Sequence, residues 1–313
     1  MRDTFIGTLL DLAKADPRVT LLTGDLGFGV LDKFARELPR QFLNLGVAEQ
    51  NMTGVATGMA LEGKIVFTYS IANFPTLRCL EQIRNDAAYH QANVNIVAIG
   101  GGFSYGSLGM SHHATEDIAI LRAVPNISVY APCDDAETRA ITRWLADGSG
   151  PAYLRLDKSK VVLGGDIAVQ PGRLRCLAPG SQVAVVACGG IAAEGLAAAE
   201  TLRHRGVSCA VYSSHTIKPL DRESVVALAR EFEAIVTLEE HVLSGGLGGA
   251  VAEALMDAGI RPRRFLRIAL PDEFSAIVGS QEYLRTRLGI DAASIADRIG
   301  DIFIGKLRDE TVS

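Results

Sequence analysis

The sequence predicts an α/β protein of two domains, each built on a mostly parallel sheet flanked by helices. Short segments rich in β-branched residues alternate with segments of helical periodicity along most of the 313 residues. The strand segments, such as Val94–Ile99, are almost wholly apolar, which is typical of parallel strands covered on both faces. Hydrophobic residues make up 48% of the chain, enough to fill packed cores.

The first domain is predicted over residues 1–160. Strands that alternate with helices favour βαβ units and therefore a parallel sheet. The strand candidates are Val19–Leu22, Gln41–Leu45, Lys64–Tyr69, Val94–Ile99, Ile127–Tyr130 and Ala152–Leu156. The helices expected between them include Asn51–Glu62, Thr76–Tyr89 and Asp135–Leu145.

A weakly patterned stretch with several glycines and prolines predicts a linker over residues 161–175. The second domain is predicted over residues 176–313. Its strand candidates are Val183–Cys188, Val207–Tyr212, Ala234–Leu238 and Phe265–Ala269. Residues 281–307 have the pattern of helices, with Gly289 as a stop between them.

Charge and cysteine content favour a cytoplasmic protein with reduced thiols. The net charge is −5 and no basic run occurs, which argues against nucleic acid or an anionic membrane as a partner. The N-terminus lacks the pattern of a secretory signal, and no apolar run is long enough to span a bilayer. The cysteines number five and form no Cys-x-x-Cys pair.

Ligands of open parallel sheets bind beyond the carboxyl ends of the strands, so the loops at that edge are the candidate sites. Glu49 follows the second strand at the start of a helix, where the helix dipole alone would also explain a glutamate. Phe74 lies beside Pro75 after the third strand, and its ring could stack on a flat ligand or pack in the core. Lys158 follows the sixth strand, where it could bind a phosphate or be a solvated linker charge.

The loop after the fourth strand, residues 100–113, is rich in glycine and ends in two histidines, His112 and His113. Adjacent histidines point in different directions in most backbones, and no third ligand is placed by spacing. We therefore predict no metal site in this chain. Hydrogen bonding or proton transfer suits the histidines better, with capping by Ser111 as the structural alternative.

These loops, in this order, resemble the transketolase family over nearly the whole chain. The resemblance implies the C-terminal subunit of a split transketolase, made of a pyrimidine-binding domain followed by a transketolase C-terminal-like domain. The segments that carry it are Leu45–Met52, Leu80–Asn85, Gly109–His112, Glu116–Asn126, Ala131–Asp134, Ile217–Asp221, Glu239–His241 and Gly245–Gly248.

The resemblance also implies thiamine diphosphate and a role for each candidate residue. Glu49 would bond a pyrimidine nitrogen and so activate the cofactor, with Phe74 and Gln82 at the same ring. His112 would point at the reacting oxygens of a sugar phosphate. The remaining substrate-binding candidates are Arg2, Thr23, His113 and Lys158.

Two departures from the family pattern bear on substrate and assembly. Ser107 and Leu108 replace an acidic pair, and Gly100 replaces a histidine, so the substrate is left open. The Gly-Asp-Gly turn that holds Mg²⁺ and the diphosphate in the family is not matched by Gly24-Asp25-Leu26. We therefore expect a diphosphate-binding N-terminal subunit as the partner, Mg²⁺ held mainly by that partner, and two copies of each chain.

Three alternatives remain open. One is a pyruvate-decarboxylating, acyloin-forming enzyme resembling deoxyxylulose-phosphate synthase, and another is the beta subunit of a 2-oxo acid dehydrogenase. The third is a non-catalytic paralogue that has kept the fold, because fold alone never proves chemistry.

Overall fold

The structure is a computed structural model that describes residues 1–162 and 168–310. Residues 163–167 of the predicted linker and residues 311–313 lie outside the described part. Two sheets with helices packed against them confirm the predicted α/β class. No described helix combines the length and the apolar composition needed to cross a membrane.

Within the described residues the first sheet has seven strands, and its central strands are buried except for Ile71 at the end of β3, as their apolar sequences predict. Its strands are β1 (Val19–Thr23), β2 (Phe42–Asn44), β3 (Ile65–Ile71), β4 (Val94–Ile99), β5 (Ser128–Tyr130), β6 (Ala152–Leu156) and β10 (Thr216–Lys218). They lie in the order β10-β5-β6-β4-β3-β1-β2, and the sheet is parallel except at β10.

The helices of this half are α1 (Arg2–Ala15), α2 (Asp32–Glu37), α3 (Glu49–Leu61), α4 (Leu80–Gln82), α5 (Asp117–Ala123) and α6 (Asp135–Asp147). Helix α6 begins where the Asp134 carboxylate accepts the backbone N–H of Glu137 at 2.8 Å. Helix α4 is the middle of an irregular segment: a 3₁₀ turn at Leu77–Cys79 precedes it and a π turn at Ile83–Ala88 follows. Such mid-helix irregularity often accompanies functional positions.

In the part of the chain that the structure describes, the second sheet has five strands. They are β7 (Arg175–Ala178), β8 (Val183–Ala187), β9 (Cys209–Ser213), β11 (Ala234–Val242) and β12 (Phe265–Leu270). Their order is β12-β11-β8-β9-β7, and only β7 is antiparallel to its neighbour. The helices of this half are α7 (Ala192–His204), α8 (Arg222–Glu231), α9 (Leu247–Asp257), α10 (Gln281–Arg287) and α11 (Ala292–Glu310).

The strands predicted from the sequence form close to their expected ends, except that β11 continues to Val242. Two strands were not predicted. Strand β7 begins at Arg175, the last residue of the expected linker, and β10 leaves the second half of the chain to pair with β5 of the first sheet. The division into 1–160, 161–175 and 176–313 stays a prediction, and β10 crosses it.

Arg155 at the end of β6 is the centre of a buried polar network. Its guanidinium is 1% exposed and lies 3.4 Å from the Asp117 carboxylate and 3.8 Å from that of Asp157. It also donates to the backbone carbonyls of Ala114 and Glu240, at 3.1 and 2.9 Å. Burial opposes this charge, but attraction to Asp117 and Asp157 outweighs the cost and raises the pKa of Arg155.

Glu240 extends the network into the second half of the chain. Its carboxylate accepts the backbone N–H of Phe103 at 2.5 Å and the Gln281 amide at 2.9 Å. It also accepts the Arg285 Nε at 2.5 Å. One buried carboxylate therefore ties the glycine-rich loop of the first half to α10 of the second.

Arg175 of β7 forms a second ionic connection between the halves. It is 8% exposed and donates to Asp134 at 2.7 Å and to Glu137 at 3.1 Å. Glu137 is itself fully buried and also accepts the Ser213 hydroxyl at 3.0 Å. The pKa of Arg175 is raised even though burial alone would lower it, because the bonds to these carboxylates outweigh burial.

Replacing Arg175 with methionine should leave two buried carboxylates without their cation. Removing one partner of such a buried pair costs about 3–5 kcal/mol of unfolding free energy. Urea denaturation of the purified chain, followed by circular dichroism, measures the change. Arg203→Met, at an exposed pair with Glu200, is the control and should change the midpoint little. An Arg175→Met midpoint equal to that control would contradict the assigned role.

Candidate active site

The carboxyl ends of β2, β3, β4 and β6 meet at one edge of the first sheet, as the parallel order requires. The segments carrying Glu49, Phe74, His112 and Lys158 each follow one of these strands. A cavity of about 690 Å³ lies at the opposite edge of the sheet, beside Val19 and Ile65 at the starts of β1 and β3. Position in the fold favours the carboxyl edge as the functional one.

Glu49 is the first residue of α3 and is 2% exposed. Gly24 packs against it, since a Cβ at Gly24 would lie 3.4 Å from the Glu49 Cγ and 3.2 Å from the Gly46 carbonyl oxygen. The Glu49 carboxylate accepts a hydrogen bond from Arg78 at 2.8 Å. A buried carboxylate is thus directed from a helix start toward the irregular helical segment after β3.

Arg78 connects Glu49 with Phe74. Its guanidinium carbon lies 4.8 Å from the centroid of the half-buried Phe74 ring. That ring in turn makes an edge contact with His112, at a centroid distance of 5.2 Å. The structure therefore brings three predicted site residues into one row, and Arg78 is a member that sequence reasoning missed.

Gln82 lies four residues after Arg78 on the same irregular helical segment. Its side-chain oxygen is buried and has no hydrogen-bond partner among the described residues. A buried acceptor left unpaired is costly unless a ligand or a second chain supplies the donor. This orphan oxygen fits a ligand that carries an amino group.

The two histidines do point apart. His112 is half-buried, and its Nδ1 lies 3.0 Å from the Ser111 hydroxyl. His113 is 4% exposed, its Nε2 lies 3.2 Å from the Gly106 carbonyl, and its ring packs on Phe103. Only His112 therefore lies beside Phe74, and the substrate role of His113 stays a prediction.

Arg2 and Lys158 meet in a cavity of about 320 Å³ at the same edge of the sheet. The Lys158 Nζ lies 3.7 Å from the centroid of the Tyr105 ring, and the centroid of the His112 ring lies 6.3 Å from that of Tyr105. Lys160 also lines the cavity but is ion-paired with Asp135. The cavity is thus lined by two cations, Lys158 and an Arg2 that pairs with Asp3 at 2.8 Å, next to the row that ends at His112.

Thr23 and the buried acidic cluster stand apart from this opening. Thr23 is 1% exposed and its hydroxyl donates to the Leu26 and Tyr69 carbonyls, at 3.3 and 3.2 Å, so its substrate role stays a prediction.

Among the described residues, Cys133, Asp134 and Glu137 are close enough to share a metal ion. Arg175 already neutralises the two carboxylates, so this cluster is a buried ion-pair network that connects the two halves of the chain.

Comparison with known proteins decides the family. Residues 1–162 match the profile of the transketolase pyrimidine-binding domain, and residues 172–295 match that of the transketolase C-terminal domain. The chain belongs to the transketolase family. Membership implies thiamine diphosphate as the cofactor and a transferase as the kind of enzyme, as the resemblance predicted.

Several relatives of this family are similar over nearly the full chain. A transketolase C-terminal section of Methanocaldococcus jannaschii is 39% identical and covers 96% of this chain and 95% of that protein. One of the subunits of the apulose-4-phosphate transketolase of Phocaeicola vulgatus is 36% identical over 94% of each. A solved split gene transketolase, an inactive tetramer of beta chains, superimposes with a TM-score of 0.87 at 37% identity, covering 96% of this chain and 97% of that one.

A longer relative is named for a different activity. A 1-deoxy-D-xylulose-5-phosphate synthase of Geobacter sulfurreducens is 35% identical over 93% of this chain, which spans 46% of that protein. The relatives of this chain are therefore named for two different activities, that of a transketolase and that of a 1-deoxy-D-xylulose-5-phosphate synthase.

The structure explains why this transketolase-family chain has glycine at position 100. Gly100 has a φ of +100°, and a Cβ there would lie 2.3 Å from the Tyr105 ring. Tyr105 thus fills the space that a side chain at position 100 would occupy. Tyr105 is a second site residue that sequence reasoning missed. The sequence feature that could have indicated it was the glycine at position 100, five residues earlier.

Lys158 provides a test of the two-cation cavity. Burial lowers the pKa of Lys158 below its usual range, and the nearby Arg2 cation lowers it further. The positive charge of Lys158 is therefore lost at a lower pH than that of an ordinary lysine. Arg2→Met removes one of the two causes and should raise the pKa of Lys158.

The measurement is ¹³C NMR of the reductively methylated chain, with the Lys158 resonance assigned by Lys158→Arg. The resonance of the exposed Lys33 serves as the internal control. A Lys158 pKa that stays the same or falls in Arg2→Met would show that the two cations do not share one cavity.

Proposed function

We propose that this chain is one subunit of a split thiamine-diphosphate-dependent transketolase that moves a two-carbon ketol unit between phosphorylated sugars. The observation that carries the proposal is the row from Glu49 through Phe74 to His112, which continues to the cavity of Arg2 and Lys158. One end of this row suits a nitrogen heterocycle and the other suits an anion.

The residues at the Glu49 end fit the cofactor's aminopyrimidine. Thiamine diphosphate, when bound, supplies the electron sink that lets a carbon–carbon bond beside a carbonyl break and form. Glu49 would hydrogen-bond a ring nitrogen, and the Phe74 ring would cover one face. The buried oxygen of Gln82 would accept from the ring's amino group, which supplies the partner it lacks among the described residues.

The residues at the other end fit a sugar phosphate. Among the described residues, the His112 Nε2 has no partner, so it is available to hydrogen-bond the oxygens at which the substrate reacts. Arg2 and Lys158 would hold the terminal phosphate, since paired cations favour a phosphate over a neutral sugar end. Thr23 and His113 would support this end from below the surface.

The partner would hold the diphosphate and Mg²⁺. Asp25, in the nearest match to the family's metal-binding turn, instead pairs with Asn44 through its backbone N–H at 2.9 Å and its carboxylate at 3.1 Å. Subunit names among the relatives support a second chain, and we propose two copies of each in a cytoplasmic heterotetramer of carbohydrate metabolism.

The test uses this chain co-purified with a candidate diphosphate-domain subunit. We expect release of glyceraldehyde 3-phosphate from xylulose 5-phosphate, with ribose 5-phosphate as acceptor, only when both chains, thiamine diphosphate and Mg²⁺ are present. Each chain alone is the control. No release from a stable, cofactor-loaded complex would overturn ketol transfer from this donor.

The alternative reaction keeps the cofactor and changes the donor to pyruvate, as in deoxyxylulose-phosphate synthases. The similarity to such a synthase and the replacement of the family's acidic pair by Ser107 and Leu108 favour testing it second. Carbon dioxide release from pyruvate in the same complex, in place of ketol transfer, would establish this alternative.

Glu49→Gln should lower turnover of the assembled complex by about 10²–10⁴-fold, because the amide no longer exchanges a proton with the cofactor ring. Steady-state rates at saturating cofactor measure the loss, and size-exclusion chromatography checks assembly. Glu62→Gln, at the exposed far end of α3, is the matched control and should keep full activity. Full activity of Glu49→Gln would favour a role for this chain outside catalysis.

A further inference from the structure

The guanidinium of Arg78 occupies a position with unusual chemistry. It donates from Nη1 to the Glu49 carboxylate at 2.8 Å, and its central carbon lies 4.8 Å from the centroid of the Phe74 ring. A planar group that donates N–H to a buried carboxylate, beside an aromatic ring, is thus already present in the uncombined chain.

An aminopyrimidine ring makes the same demands on its surroundings. It is planar, it stacks on an aromatic ring, and it bonds a carboxyl group along its edge. The Glu49 side chain is only 3% exposed, so little of its carboxylate is left for a second group while Arg78 is bound. Both groups therefore compete for Glu49 and for Phe74.

The bond to Arg78 and the bond to the ring nitrogen also differ in whether the Glu49 side chain must supply or receive a proton. An ion pair with Arg78 uses the Glu49 carboxylate as an acceptor only. A hydrogen bond between Glu49 and an unprotonated ring nitrogen, also an acceptor, needs a proton between the two. The bond to Arg78 and the bond to the ring nitrogen thus call for opposite states of one side chain.

We propose that Arg78 fills the pyrimidine position of the uncombined chain and must swing away for thiamine diphosphate to bind. This inference rests on the proposed function, since it concerns the same cofactor. Arg78 is suited to the movement because its side chain is 47% exposed and it lies in the 3₁₀ turn Leu77–Cys79, before the more regular α4. The displaced guanidinium can be hydrated by solvent without a change of the main chain.

The consequence is that removing Arg78 strengthens cofactor binding. Because the Arg78 side chain is about half exposed, its ion pair with the buried Glu49 and its cation–π contact with Phe74 are each weak, so their loss should tighten the cofactor dissociation constant by about three- to tenfold. Removing a residue that binds the cofactor directly would instead weaken binding and raise the dissociation constant.

Isothermal titration of thiamine diphosphate and Mg²⁺ into the assembled two-chain complex measures this constant without reference to activity. The variants are Arg78→Met and Arg78→Gln, so that one remains if the other fails to assemble. Arg143→Met, which removes an exposed arginine from α6, is the matched control and should bind as wild type does. Arg78→Lys should fall between, because it keeps the charge and loses the planar group.

Tighter binding in the neutral variants, with the control unchanged, would support the proposal. Unchanged or weaker binding, in a wild-type complex that does bind the cofactor, would overturn it and leave the proposed function standing. A wild-type complex that assembles but binds no thiamine diphosphate would overturn both.

Discussion

The geometry of this edge depends on a buried arginine. Arg155 lies next to the last residue of β6, and its hydrogen bonds to the Ala114 and Glu240 carbonyls, together with its ion pair with Asp117, hold the end of the histidine loop and the end of β11 around one guanidinium. A buried cation is tolerated only where opposite charge and hydrogen-bond acceptors lie close to it, so these neighbours have little freedom. The positions of His112 and Lys158, which flank these anchors, follow from that constraint.

The two ends of this sheet edge present different chemical groups to a ligand. The Glu49 end holds a buried carboxylate that accepts from Arg78, while the other end is a cavity lined by Lys158 and by an Arg2 that pairs with Asp3. Phe74, His112 and Tyr105 lie between them and separate the two charges with rings. Such an arrangement orients a ligand that has a heterocycle bound at one end and a phosphate at the other.

The second half of the chain contributes by holding this edge rather than by reaching into it. Strand β10 completes the first sheet, Glu240 fixes the loop at Phe103, and Arg175 neutralises the Asp134 and Glu137 pair. These contacts are made by polar residues that are buried, and the two halves are therefore connected by geometry-dependent bonds.

The sequence by itself determined the α/β class, most strand positions and the loops that carry Glu49, Phe74, His112 and Lys158. It could do so because apolar periodicity and the rule of carboxyl-end loops are local or topological properties. Tertiary structure alone decided that β10 crosses to the first sheet, that Tyr105 fills the space beside Gly100, and that Arg78 meets Glu49. Those outcomes depend on contacts between residues distant in the chain, or on the direction of one side chain, and neither leaves a periodic signal.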